Sequence, residues 1–174
     1  MARRLEYSID LCAVGGLPTV VRSGRIDLRE IVSEDSEMLG ELMLESYRGT
    51  SDYEGETLED AVEEIRAYLG GDRGGEALLT ESRVALAGPV AVAACLVSHW
   101  GARQTPLITY VMTRSDWKRR GVGRLVLTEA LRALRGSGWS EARAVITEGN
   151  EPSERLFLRL GFKETGAGEG TPPN

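Results

Sequence analysis

The chain has one histidine, two cysteines and no apolar run approaching the roughly 18 residues that a membrane helix needs. Cys12 and Cys95 are too few for a disulfide framework and, with a single histidine, assemble no zinc site, so no metal is expected; Cys95, inside the apolar run 90–97, reads as a packed thiol. The start, Met-Ala-Arg-Arg-Leu-Glu, lacks the apolar core of a secretory signal, which gives a cytoplasmic protein without a membrane partner as the expectation. Cations are in deficit as well. With 21 Lys and Arg against 27 Asp and Glu the net charge is −6, which argues against the broad basic surface that nucleic-acid binding requires. What is present, 174 residues with 41% hydrophobic content, suits one domain around one core.

Periodicity orders the elements. Residues 25–32 read as a strand, and Met38, Leu39, Leu42, Met43 and Tyr47 mark a helix with Ser33 or Ser36 as its N-cap. Leu58, Val62, Ile65 and Leu69 mark a second helix, opened by Thr57 and ended at Gly70-Gly71. Residues 76–81, 89–100 and 106–113 read as three strands of an antiparallel meander, with a longer loop between the first two. Leu125, Leu127, Ala130, Leu131 and Leu134 belong to a long helix that Gly136 and Gly138 terminate, and 142–147 is the next strand. Strand, helix and strand in quick succession predict a parallel pair with a right-handed crossover. An extra strand is expected over 7–12, before a Gly-Gly-Leu-Pro turn. Residues 1–24 are read as an extension of unassigned role, and the Gly- and Pro-rich tail 166–174 as disordered.

Charge is distributed unevenly along this frame. Basic residues crowd the stretch Lys118-Arg119-Arg120-Gly121-Val122-Gly123-Arg124, between a strand and a helix, whereas Asp52, Glu54, Glu56, Glu59, Asp60, Glu63 and Glu64 surround the second helix. A glycine turn at a helix N-terminus is an anion site: the backbone can approach a ligand, and first-turn amides and the positive dipole end favour phosphate. Two common phosphate loops are excluded. Gly123 is followed by Arg124 and Leu125 where a Walker A loop needs Lys and then Ser or Thr, and Val126 stands where a dinucleotide fingerprint needs its third glycine. The acidic half would draw a cationic acceptor.

A second segment lies downstream: Asn150-Glu-Pro-Ser153-Glu-Arg-Leu156-Phe157-Leu-Arg-Leu-Gly161-Phe162 reads as a short helix entered through Pro152 and capped by Gly161. Together the two segments resemble the GNAT superfamily of N-acyltransferases, whose signatures are Gln/Arg-x-x-Gly-x-Gly/Ala and Asn-x-x-Ala/Ser-x-x-Leu-Tyr/Phe-x-x-x-Gly-Phe. The resemblance is strong over 105–163 and weaker back to about residue 26. It implies an α/β (α+β mixed) domain over 25–165, with a central, mixed, mostly antiparallel sheet, a splayed parallel strand pair and flanking helices. It implies acetyl-CoA as co-substrate: backbone near Met112 and Thr113 on the pantetheine arm, pyrophosphate on the segment Lys118, Arg119, Arg120, Gly121, Val122, Gly123 and Arg124, Asn150 and Ser153 on the far wall, and Phe157 against the arm. The partner it implies is an amine, whether a polyamine, an aminoglycoside, an amino acid, or a protein N-terminus or lysine. A homodimer through the N-terminal strand is a further expectation.

Lys118 stands where the first signature has Gln or Arg, and the same resemblance marks two departures at the catalytic positions. Phe157 stands where the family often has the Tyr that protonates the leaving thiolate, and Leu107 where many members have a Glu. Strand alternation would put Thr109 on the face of Leu107 and turn Tyr110 away. Glu148, His99 and Thr109 are therefore the candidate catalytic residues, His99 as the single imidazole of the chain. Two rivals to an enzyme are an acyl-CoA-binding module without turnover and a protein-interaction domain.

Overall fold

The computed structural model describes residues 3–16, 25–50 and 53–167. In chain order the elements are β1 Arg4–Asp10, β2 Asp27–Glu30, α1 Ser36–Tyr47, α2 Leu58–Leu69, β3 Glu76–Ala77, β4 Arg83–Ala87, β5 Val90–Trp100, β6 Thr105–Thr113, α3 Val122–Gly136, β7 Glu141–Thr147, α4 Glu151–Leu160 and β8 Lys163–Ala167. The strands form a single mixed sheet in the order β2-β4-β5-β6-β7-β1-β8, with β3 beside β5. Only β6 and β7 run parallel; every other pairing is antiparallel.

Alternation along the strands sends apolar residues to both faces, so the sheet has two cores. On one face α1 and α2 pack over Val84, Ala94, Leu96 and Met112, through Leu39, Leu42, Ile65 and Tyr68. On the other, α3 and α4 cover Cys95, Val97, Ile108, Ala142 and Ala144 with Leu127, Leu131, Leu134 and Phe157. Tyr68 fastens α2 to the sheet. Its hydroxyl, fully buried, donates to the Val97 carbonyl at 2.8 Å and lies 3.1 Å from Ser82 Oγ. No helix among the described residues is long and apolar enough to cross a membrane.

The structure corrects several expectations. The N-cap position of the first helix is Asp35, not a serine, and no side chain caps the helix there; the Asp35 carboxylate instead accepts from Val32 N at 2.9 Å and takes both arms of Arg29. The expected strand 76–81 stops at Ala77, and 83–87, expected as loop, is a strand that turns through Gly88-Pro89 into β5. Residues 4–10, expected to belong to an extension, lie inside the sheet between β7 and β8. Their apolar Leu5, Tyr7 and Ile9 enter the same core as α3, a long-range pairing that a local reading of periodicity does not register. Gly166 and Ala167, assigned to a disordered tail, are the end of β8, opposite Glu6 and Leu5. The rest of that tail, Leu17 and Pro18 of the expected turn, and Asp52 lie outside the described residues.

Candidate active site

β6 and β7 pair only at Leu107 with Arg143 and Ile108 with Ala144, after which the strands part. Beyond that point the β7-facing edge of β6 has no ladder partner among the described residues, and β6 runs on to Thr113, against the N-terminus of α3. Helix N-termini favour anions, and this one is left open. Gly121 caps it with φ +87°, a left-handed conformation that glycine adopts without penalty. Gly123 lets the helix close on the strand: a Cβ there would lie 2.9 Å from Thr113 Oγ1. The first turn carries no acidic residue and no side-chain cap, so the leading amides keep their donors for another acceptor.

The basic residues divide by task. Lys118 Nζ donates to the Ser46 carbonyl at 3.1 Å, in the last turn of α1, while Thr113 N donates to Ser46 Oγ at 3.1 Å. Buried Ser46 thus ties the end of β6 and the glycine loop to α1, a role that nothing in the motif announces. Arg120 lies over the Trp117 ring at 4.7 Å, and Arg119, exposed, has φ +65°. Arg124 Nε is buried with no hydrogen-bond partner, next to the free helix end. Met112 is fully buried under α1 and α2.

On the far wall, Asn150 caps α4 by accepting from Ser153 N at 3.4 Å, with Pro152 in the first turn. Phe157 is buried and stacks edge-on with Phe162 at 4.8 Å. Phe157 shares the α3-side core with Ile108 of β6 and Val122 of α3, whereas Met112 belongs to the core on the opposite face.

The three catalytic candidates are not brought together. His99 follows Val97 onto the α3 face, where its ring sits 5.6 Å from Trp139. Thr109 faces the other way, its Oγ1 2.7 Å from Ser98 Oγ and close under Gly74. Glu148 continues past β7, half-exposed, its amide bonded to the Arg3 carbonyl and its carboxylate 3.6 Å from the Arg3 guanidinium.

The alternation that turned Tyr110 away fails because β6 carries a bulge. Leu96 opposes Tyr110 and Val97 opposes Ile108, which leaves Thr109 without a partner on β5. Thr109 and Tyr110 consequently share the α1/α2 face, and Val111 returns to the α3 face. Tyr110 donates to Glu64 Oε1 at 2.5 Å, and Arg73 grips the same carboxylate with Nε at 2.8 Å and NH2 at 3.0 Å. Burial raises the Tyr110 pKa, and the adjacent Glu64 raises it further. For Glu64 burial also pushes upward, but the hydrogen bonds from Arg73 and Tyr110 and the Arg73 charge outweigh it and hold the carboxyl below its ordinary value. Sequence reasoning missed this constellation apart from Glu64's place among the acidic residues. The available signal was Arg73 itself, between the pairs Gly70-Gly71 and Gly74-Gly75.

Residues 37–162 match the acetyltransferase (GNAT) family model. No curated protein matches the sequence. Among solved structures, the chain is similar in fold to a GCN5-related N-acetyltransferase from Sphaerobacter thermophilus, at 18% identity and TM-score 0.65. It is covered over 95% of its length there and spans 49% of that longer chain. It resembles PaiA N-acetyltransferase from Thermoplasma acidophilum in complex with coenzyme A, at 19% identity and TM-score 0.61, covering 80% of this chain and 91% of that one. Aminoglycoside N-acetyltransferase AAC(6')-Iy with a bisubstrate analogue is similar at 18% identity and TM-score 0.60, covering 84% and 96%.

Proposed function

Because the chain belongs to the acetyltransferase (GNAT) family, we propose that it transfers an acetyl group from acetyl-CoA to an amine by direct attack of the neutral amine on the thioester. The observation that carries the reading is the cleft where β6 leaves β7 at Ile108 and runs to the open N-terminus of α3.

The residues present fit the donor. The amides of Val122, Gly123 and Arg124 would hold the pyrophosphate, with Arg119 and Arg120 adding charge at the loop. Arg124 supports this directly, since a buried guanidinium nitrogen without a partner is costly unless a ligand completes it. The edge of β6 beyond Ile108, up to Met112 and Thr113, would offer backbone groups to an extended arm, apart from the Thr113 amide that donates to Ser46 Oγ, and Asn150, Ser153 and Phe157 would form the opposite wall. Lys118 contributes by holding the loop against α1. When bound, acetyl-CoA supplies an activated carbonyl and a thiolate leaving group.

Direct attack needs an amine stripped of one proton and a carbonyl polarised by a preorganised donor. A backbone N–H at the bulge of β6 is suited to the second task, because a bulge frees backbone groups from the ladder. For the first, Glu148 keeps half of its side chain in solvent and can hand a proton to water. His99 and Thr109 are placed less well, on the opposite face and under Gly74 respectively.

The test is calorimetric titration of the chain with acetyl-CoA, followed by thiol release in the presence of primary amines. Micromolar binding with amine-dependent thiol release is the expected result. Binding without release to any amine would replace an enzyme by an acyl-CoA-binding module, and no binding would remove both.

A further inference from the structure

Glu64 differs from its neighbours on α2. Glu59, Asp60 and Glu63 are exposed, and Glu63 pairs locally with Arg66. Glu64 turns to the sheet, its side chain 33% exposed, and meets Tyr110 immediately after the bulge at Thr109. The Arg73 fork takes one further lone-pair direction on each oxygen of the same carboxylate. Arg73 reaches it from a segment that crosses the sheet where β6 and β7 part: Gly74 lies against Leu107, Thr109 and Ser98, and Ser98 Oγ donates to the Arg73 carbonyl at 3.0 Å. The Arg73 backbone is thus pinned, whereas its guanidinium, with 27% of the side chain exposed, can leave by side-chain rotation alone.

Resting on the acetyltransferase reading above, we propose that Glu64 anchors a second cationic group of the acceptor, and that the Arg73 guanidinium occupies this anchor until the acceptor displaces it. The acceptor class is a molecule with at least two amino groups. The nitrogen that attacks the thioester must be neutral, so a cation held on a carboxylate is a different nitrogen of the same molecule. Tyr110 keeps its hydrogen bond to Glu64 throughout and sets the distance between anchor and bulge by the length of one tyrosine side chain. Arg73 then weakens the acceptor's apparent affinity by the fraction of molecules in which it stays on Glu64.

The two partners have opposite signs under this proposal. Titration calorimetry of the full chain, Arg73→Gln and Glu64→Gln with putrescine and spermidine, and with butylamine as the monoamine, separates them. Arg73→Gln is expected to bind the polyamines about three- to tenfold more tightly than the unaltered chain, and Glu64→Gln about tenfold more weakly, with butylamine indifferent to both changes. A structural ion pair would give no gain in Arg73→Gln, and a gain cannot come from misfolding. Unchanged or weaker polyamine binding by Arg73→Gln, or no binding by any of the three proteins, overturns the proposal. Acetyl-CoA binding is measured separately at α3, so either reading can fail while the other stands.

Discussion

The N-terminus of α3 and the sheet face beneath α2 are both charged, and they handle charge in opposite ways. At α3 a positive field is left open: no acidic side chain enters the first turn, no side chain caps it, and Arg124 Nε is buried without a partner. Under α2 a negative charge is closed off: Glu64 is satisfied by Tyr110 and by both arms of Arg73. The open site is built from backbone geometry, which a motif of adjacent residues can encode. The closed site is built from side chains contributed by α2, the following glycine segment and β6. An open site waits for an anion that the protein cannot supply itself, whereas a closed one carries its own competitor.

The strongest way to break the contrast is at the glycine loop. Gly121→Asp/Gly123→Asp puts two carboxylates on the helix end and a Cβ against Thr113, and acetyl-CoA affinity is expected to fall at least about 100-fold, with polyamine binding unchanged. A parallel loss of both would mean that the two regions are one site. Next is Tyr68→Phe, which removes a buried donor from Val97 and Ser82. Urea unfolding should show a loss of about 1–2 kcal/mol, with the cofactor site intact.

Smaller is Lys118→Met. The ammonium is committed to the last turn of α1, so we expect about 0.3–1 kcal/mol of stability to be lost and acetyl-CoA affinity to change little with salt. A tenfold, salt-sensitive loss of affinity would instead put Lys118 on the phosphate. The smallest effect concerns Glu64. Its folded pKa lies below the unfolded value, so its contribution to folding is complete above the unfolded pKa and is lost as pH falls through the folded one. The stability difference between the chain and Glu64→Gln should therefore shrink on acidification below the ordinary carboxyl range; a constant difference from neutral to strongly acidic pH would mean that the carboxylate is not held by its partners.

What the sequence disclosed follows the same division. Gly121 and Gly123, Asn150 through Phe162, and the helical periodicities are local, and each landed on the element expected of it. Thr57, read as the opening of α2, caps it in a capping box with Asp60. The bulge at Thr109 has no such signature: one residue unpaired among eight pairings of β5 with β6 leaves Thr109 on the face of Leu107 but brings Tyr110 onto that face as well. Arg73 and Tyr110 are separated by 37 positions and meet only on Glu64. The place of β1 was hidden for a similar reason, since its partners lie at 141–147 and 163–167.

That placement has a consequence for how the molecule comes into being. Among the described residues β8 finds its only strand partner in β1, and Thr165 Oγ1 donates to the Glu6 carbonyl across 159 positions. On the ribosome, at about 5–20 residues per second, β1 must wait until residues 141–147 have been made before either neighbour exists. Such non-local closure slows folding and leaves an apolar edge exposed meanwhile. Of the described strands, the last in chain order shields the first, so the sheet is completed by β7 and β8 reaching back to β1 rather than by growth in one direction.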